Sequence, residues 1–149
     1  MTEDLTPLSL PTSEWAAWTA ERCEEQLARA RMFVDDLKAA LKSGEQVGPA
    51  EVMAVWNDVN IALSNAFAAA SLFANVHPDE AVRSRAERAE QDGHMLLTVI
   101  SLDRELYDVL AAFDPAELDE DSRRVHRLAV RDFRRAGVDQ DDSVRDRVR

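Results

Sequence analysis

Small and apolar residues recur along this chain at alternating steps of three and four, and that rhythm restricts it to helices. Ala20, Cys23, Leu27, Ala30, Val34, Leu37 and Leu41 form one series. Val52, Val55, Val59, Ala62, Ala66, Ala69, Phe73 and Val76 form a second, and Val82, Ala86, Ala89, Gly93, Leu96 and Ile100 a third. Such steps gather every member onto one stripe of an α-helix, whereas a strand would scatter them over both faces. A stripe must be covered by a neighbour, so the expected fold is all-α, with long antiparallel helices packed as a bundle.

The breaks between the series carry stop and start signals. Thr12 or Ser13 is expected to cap a first helix that runs to about Lys42 and stops at Ser43-Gly44. Trp15 and Trp18 sit in its first turns and would pin that end. Gly48-Pro49 opens the second helix, with proline at a position where its missing N–H costs nothing. Beside its seam lies a second stripe, Trp56, Leu63, Phe67, Ala70 and Ala74, which makes this the helix expected to be most buried. Pro78 ends it and begins the third helix, whose Asp79 and Glu80 favour the N-terminal dipole. Gly93 lies in the third seam, where glycine costs about 1 kcal/mol relative to Ala and is expected to admit a neighbour's backbone or large side chain.

After a break at Ser101–Asp103, a short helix spans Arg104 to Phe113, with Leu106, Val109, Leu110 and Phe113 inward. Asp114-Pro115-Ala116-Glu117 reads as a cap, a first-turn proline and a capping-box glutamate. Asp119 is then expected to cap a fifth helix that runs to Ala136 and stops at Gly137. The domain reading is a loose segment over 1–11, a helical domain over 12–137 and the start of a further, truncated helix over 138–149.

Composition excludes several functions. The 149 residues carry a net charge of −11, which disfavours nucleic-acid binding and docking on anionic membranes. No segment has 18 uninterrupted apolar residues; the stretch from Ile61 to Val76 is broken by Ser64, Asn65, Ser71 and Asn75. Met-Thr-Glu-Asp-Leu is not a secretory signal, so the cytoplasm is the expected location. Cys23 is the only cysteine and lies on an apolar seam, which favours a small buried thiol over a reactive one.

No catalytic, cofactor or metal residue is assigned. The zincin signature places two histidines one helical turn apart with a glutamate between them, and none of His77, His94 and His126 has that context. The residues three before His94 and His126 are Gln91 and Arg123, so no di-iron pair exists. Glu90 and His94 are spaced four apart, and a surface contact is preferred for them. His77 is expected to bond backbone at its corner, and Tyr107 to lie at the core edge. Arg123, Arg124, Arg127, Arg131, Arg134 and Arg135 form a charged face within reach of Asp119, Glu120 and Asp132, read as solvated or interdomain.

Three segments in fixed order carry a family resemblance: VHPDEAVR (76–83), SLDRELYDVL (101–110) and RDFRRAGVD (131–139). With the helix VWNDVNIALSNAFAAASLFANV (55–76) before them, they resemble the N-terminal helical region of the thimet oligopeptidase and oligopeptidase A family of zinc metallo-oligopeptidases. The resemblance runs from about Trp15 to the end and is densest from Trp56 to Val138. It implies one wall of a deep substrate channel in an enzyme that hydrolyses short peptides. It also implies that the zinc, its ligands and the substrate contacts lie beyond Arg149, so this chain alone is expected to be inactive. The implied partners are the remainder of the parent polypeptide and, for the intact enzyme, short peptides. The other reading is a stand-alone helical protein-interaction module with the same fold and no enzyme activity.

Overall fold

The computed structural model describes residues 10–140. Five α-helices account for most of them: α1 (Trp15–Lys42), α2 (Pro49–Val76), α3 (Glu80–Ser101), α4 (Arg104–Ala112) and α5 (Glu120–Ala136), with a 3-10 turn at Pro115–Glu117 before α5. No strand occurs among the described residues. Residues 141–149 of the truncated helix expected over 138–149, and residues 1–9 of the loose N-terminal segment, lie outside them.

The seams place the first three helices. Trp15 and Trp18 of α1 meet Phe73 at the far end of α2, with ring centroids 5.8 and 5.9 Å apart, so these two helices run antiparallel. Phe67 of α2 lies against Gly93 of α3, and Val82 at the start of α3 joins Phe73, which makes that pair antiparallel too. All three helices touch one another. Their shared interior has three zones. The two tryptophans, Phe73, Val82 and Ala86 fill one end. Cys23, Ala70 and Ala89 make a narrow waist, where small side chains let the helices approach closely. Beyond it an aliphatic core runs from Leu27 through Leu63, Leu96 and Ile100 to α4 and α5.

All six members of the α3 seam are buried. The two stripes of α2 are inward except at Val76, the last residue of the helix, which is 65% exposed. Its reverse side leaves Ile61 and Leu72 in the open, so α2 is a central helix without being a fully enclosed one. It is also long and apolar enough to cross a membrane, its best window having a mean hydropathy of 1.4, since alanine and valine outweigh the serine and asparagine interruptions.

Helix ends follow local chemistry, with three departures from expectation. Glu14, not Thr12 or Ser13, precedes α1, in a left-handed conformation (φ 58°) and with no side-chain cap. Pro78 falls between helices rather than inside the third: Asp79 is the N-cap, accepting the Ala81 N–H at 2.8 Å. Asp114 and Glu117 bracket only a single 3-10 turn. Asp119 caps α5 as expected, accepting from the Ser122 N–H at 2.9 Å. Gly137 takes φ 95° at the other end, a conformation that favours glycine. The turn it makes lets the Val138 N–H reach the Phe133 carbonyl at 3.2 Å and folds Val138 back into the core, fully buried.

The α3–α4 joint is held from α1. Asp103 accepts the Leu106 N–H at 3.0 Å through one oxygen, and through the other pairs with Lys38 at 2.6 Å. Glu105 adds contacts to Lys38 (3.1 Å) and Lys42 (3.2 Å). Burial opposes charge on Lys38, yet its hydrogen bonds to Asp103 and Glu105 prevail and hold its pKa above the usual lysine value. A raised lysine pKa stabilises the fold below the unfolded value, and that stability is lost as pH rises through the folded one. Asp103→Ala removes both cap and ion pair and should cost about 0.5–2 kcal/mol. Asp103→Asn keeps a capping oxygen and should cost less, while weakening the loss of stability above the lysine range. Denaturant melts of both variants at neutral and alkaline pH check this; equal costs at every pH would contradict it.

Candidate interaction groove

The α4–α5 hairpin covers the aliphatic end of the three-helix layer incompletely. α4 turns inward on Leu106, Tyr107 and Leu110, and α5 on His126, Ala129 and Phe133. His126 fixes the pair: its Nε2 lies 2.6 Å from the Leu110 carbonyl oxygen, and its ring lies 4.8 Å from that of Phe113. A carbonyl only accepts, so Nε2 is the protonated nitrogen and donates. On the other side of α5 a groove of about 310 Å³ opens against α2 and α3. Trp56 and Phe133 form its floor, their rings 5.4 Å apart. Leu63, Leu97, Ile100, Val125, Leu128 and Ala129 complete the apolar lining, and Asn57, Asn60, Ser101 and Asp132 supply its polar edge.

Beside the groove, α3 carries an unusual stretch. From Met95 to Ile100 that helix is apolar on nearly every side: Leu96 and Ile100 face the core, while Met95, Leu97 and Val99 are 60, 42 and 53% exposed. A helix that is hydrophobic all round is ordinarily covered on all sides. The first half of α3, with Arg83, Arg85, Glu87 and Arg88, has an ordinary polar outer face. Apolar exposure is thus concentrated at the α3 end nearest α5, the pattern of an interaction surface.

The residues singled out by sequence are dispersed. His77 lies at the α2–α3 corner, where its Nδ1 accepts the Asp79 N–H at 3.1 Å and its carbonyl accepts from Arg83 at 2.8 Å. His94 is on the surface of α3 with its ring 4.9 Å from Phe67. Glu90 has no metal-binding companions: among the described residues no three His, Cys, Asp or Glu side chains gather as a metal site would require. The three histidines lie on separate elements, at the α2–α3 corner, on α3 and on α5. Cys23 is fully buried, and its thiol donates to the Ala66 carbonyl at 3.6 Å. Burial pushes its pKa above the ordinary cysteine value, which suppresses the nucleophilic thiolate.

The arginine face divides into separate roles. Arg123 donates to the Pro115 and Leu118 carbonyls at 3.0 and 2.8 Å, tying the 3-10 turn to α5. Arg131 pairs with Asp132 at 2.8 Å, and Arg134 donates to the Tyr107 hydroxyl at 2.9 Å. Asp119 is taken up in its expected role as the α5 cap, accepting from the Ser122 amide and hydroxyl. The groove itself escaped the sequence reading. Its one local signal is the run Met95-Leu96-Leu97-Thr98-Val99-Ile100, too apolar for a helix with a single buried stripe. Comparisons with protein-family models, curated proteins and solved structures returned no match.

Proposed function

We propose that this chain is an N-terminal helical part of a zinc metallo-oligopeptidase, forming one wall of the substrate channel and supplying no catalytic group. The observation that supports this is where the three resembling segments fall. The His-Pro-Asp segment is the α2–α3 corner, Leu-Asp-Arg-Glu-Leu-Tyr is the α3–α4 joint clamped by Lys38, and Arg-Ala-Gly-Val-Asp is the turn that buries Val138. Each is a place where the chain changes direction, so the segments that carry the resemblance are those that set the path of the helices. In this reading the remainder of the polypeptide covers the α2/α3/α5 groove, and the intact cytoplasmic enzyme hydrolyses short peptides at a zinc held outside these residues.

The groove also favours a second reading, a stand-alone helical module that binds another protein through the same surface. Its apolar lining and polar edge suit either occupant. The two are separated by the coding sequence past the Arg149 codon. The first reading expects an open frame that carries an H-E-x-x-H segment; a stop codon directly after Arg149 overturns it and leaves the second.

A further inference from the structure

On the face of α5 opposite the groove, against the 3-10 turn, lies a separate cleft of about 430 Å³. Arg127, Arg131, Arg134 and Arg135 line it, while its floor is Pro115, Val130 and the ring of His126. From Arg127 to Arg135 the row is about 12 Å long at the rise of an α-helix. Among the described residues Arg127 and Arg135 have no ion-pair partner, although the chain as a whole carries a charge of −11. A protein this acidic that lines one cleft with four guanidinium groups has a local charge opposite to its own average.

We propose that this cleft binds an acidic peptide segment in extended conformation. Guanidinium groups pair with carboxylates in a planar, two-pronged geometry. Side chains on one face of an extended strand repeat about every 7 Å, so three alternate acidic residues span about 14 Å, close to the length of the arginine row. The intervening backbone and apolar side chains would lie over Val130 and Pro115. His126 lies beneath the cleft: the residue is 5% exposed, Nε2 is committed to the Leu110 carbonyl, and Nδ1 is shielded from solvent, so the floor offers the edge of its ring and not a hydrogen-bonding nitrogen. A long polyphosphate chain meets the negative remainder of the surface, which a short peptide avoids. The proposal does not depend on the peptidase reading.

The test is fluorescence anisotropy of a labelled peptide of alternating glutamate and valine, titrated with the full chain at low salt. Saturable binding is expected, with a peptide of alternating glutamine and valine failing to bind. Arg127→Ala and Arg135→Ala should each weaken binding by about tenfold, the scale of one charge-assisted pair. Arg124→Ala, on the same helix but outside the cleft, should leave it unchanged; circular dichroism of each variant confirms that the fold is kept. Absence of binding, equal loss in Arg124→Ala, or displacement of the peptide by a single-stranded oligonucleotide at lower concentration than by unlabelled peptide would each overturn the proposal.

Discussion

Leu110→Ala is expected to lower the unfolding free energy by about 2–5 kcal/mol, the range for removing a buried leucine from a packed core. Leu110 is fully buried in the cluster that joins α1 and α2 to α4 and α5. Its carbonyl also receives the His126 hydrogen bond, so any shift of α4 into the cavity stretches the contact that holds the hairpin together. Collapse around the smaller side chain is therefore restricted, which places the cost toward the upper part of the range. Equilibrium denaturation measures it. A loss below about 1 kcal/mol would mean that α4 is loosely attached and not part of the common core.

Gly93→Leu should cost about 1–3 kcal/mol by overpacking. A Cβ at this position would stand 3.0 Å from Cε1 of Phe67, closer than side chains normally tolerate. The Phe67 ring is flanked in turn by His94, so it cannot swing aside without losing that contact. Against this, leaving glycine improves helix propensity by about 1 kcal/mol or slightly less. Steric cost exceeds that gain for leucine, while for Gly93→Ala the two nearly cancel. Denaturation midpoints of both variants decide the point. A raised midpoint for Gly93→Leu would show that the Phe67 ring moves freely and propensity governs the site.

The helical rhythm made the three-helix layer readable and left its surface obscure. The series in α3 from Val82 to Ile100 is buried throughout, because a residue that recurs in phase with the helix has one face to occupy wherever the helix goes. Gly93 could be read as a close approach for the same reason, though the partner that approaches, a ring and not a backbone, could not. Helix ends were harder. Asp79, Asp103 and Asp119 compete with nearby prolines, serines and threonines for the cap, and small differences in backbone direction decide among them. Val138 looked like the beginning of another segment because the signal that folds it inward, Gly137, is also a stop. The groove depends on how α5 docks against α2 and α3, a long-range placement with no local period. Leu97, Val125 and Leu128 are ordinary helix residues until that docking brings them together. The arginines of α5 showed the same limit: their spacing was visible, but not which would be taken up by Pro115, Leu118 and Tyr107.

The proposed role is that of a helical part of a zinc metallo-oligopeptidase that supplies no catalytic group. It is tested most directly by measuring zinc in the purified, dialysed chain and assaying the same sample on short peptides with and without a chelator. With His77, His94 and His126 each engaged on a separate element, the expectation is no stoichiometric zinc and no cleavage. One tightly held zinc per chain, with peptide cleavage that the chelator abolishes, would contradict it.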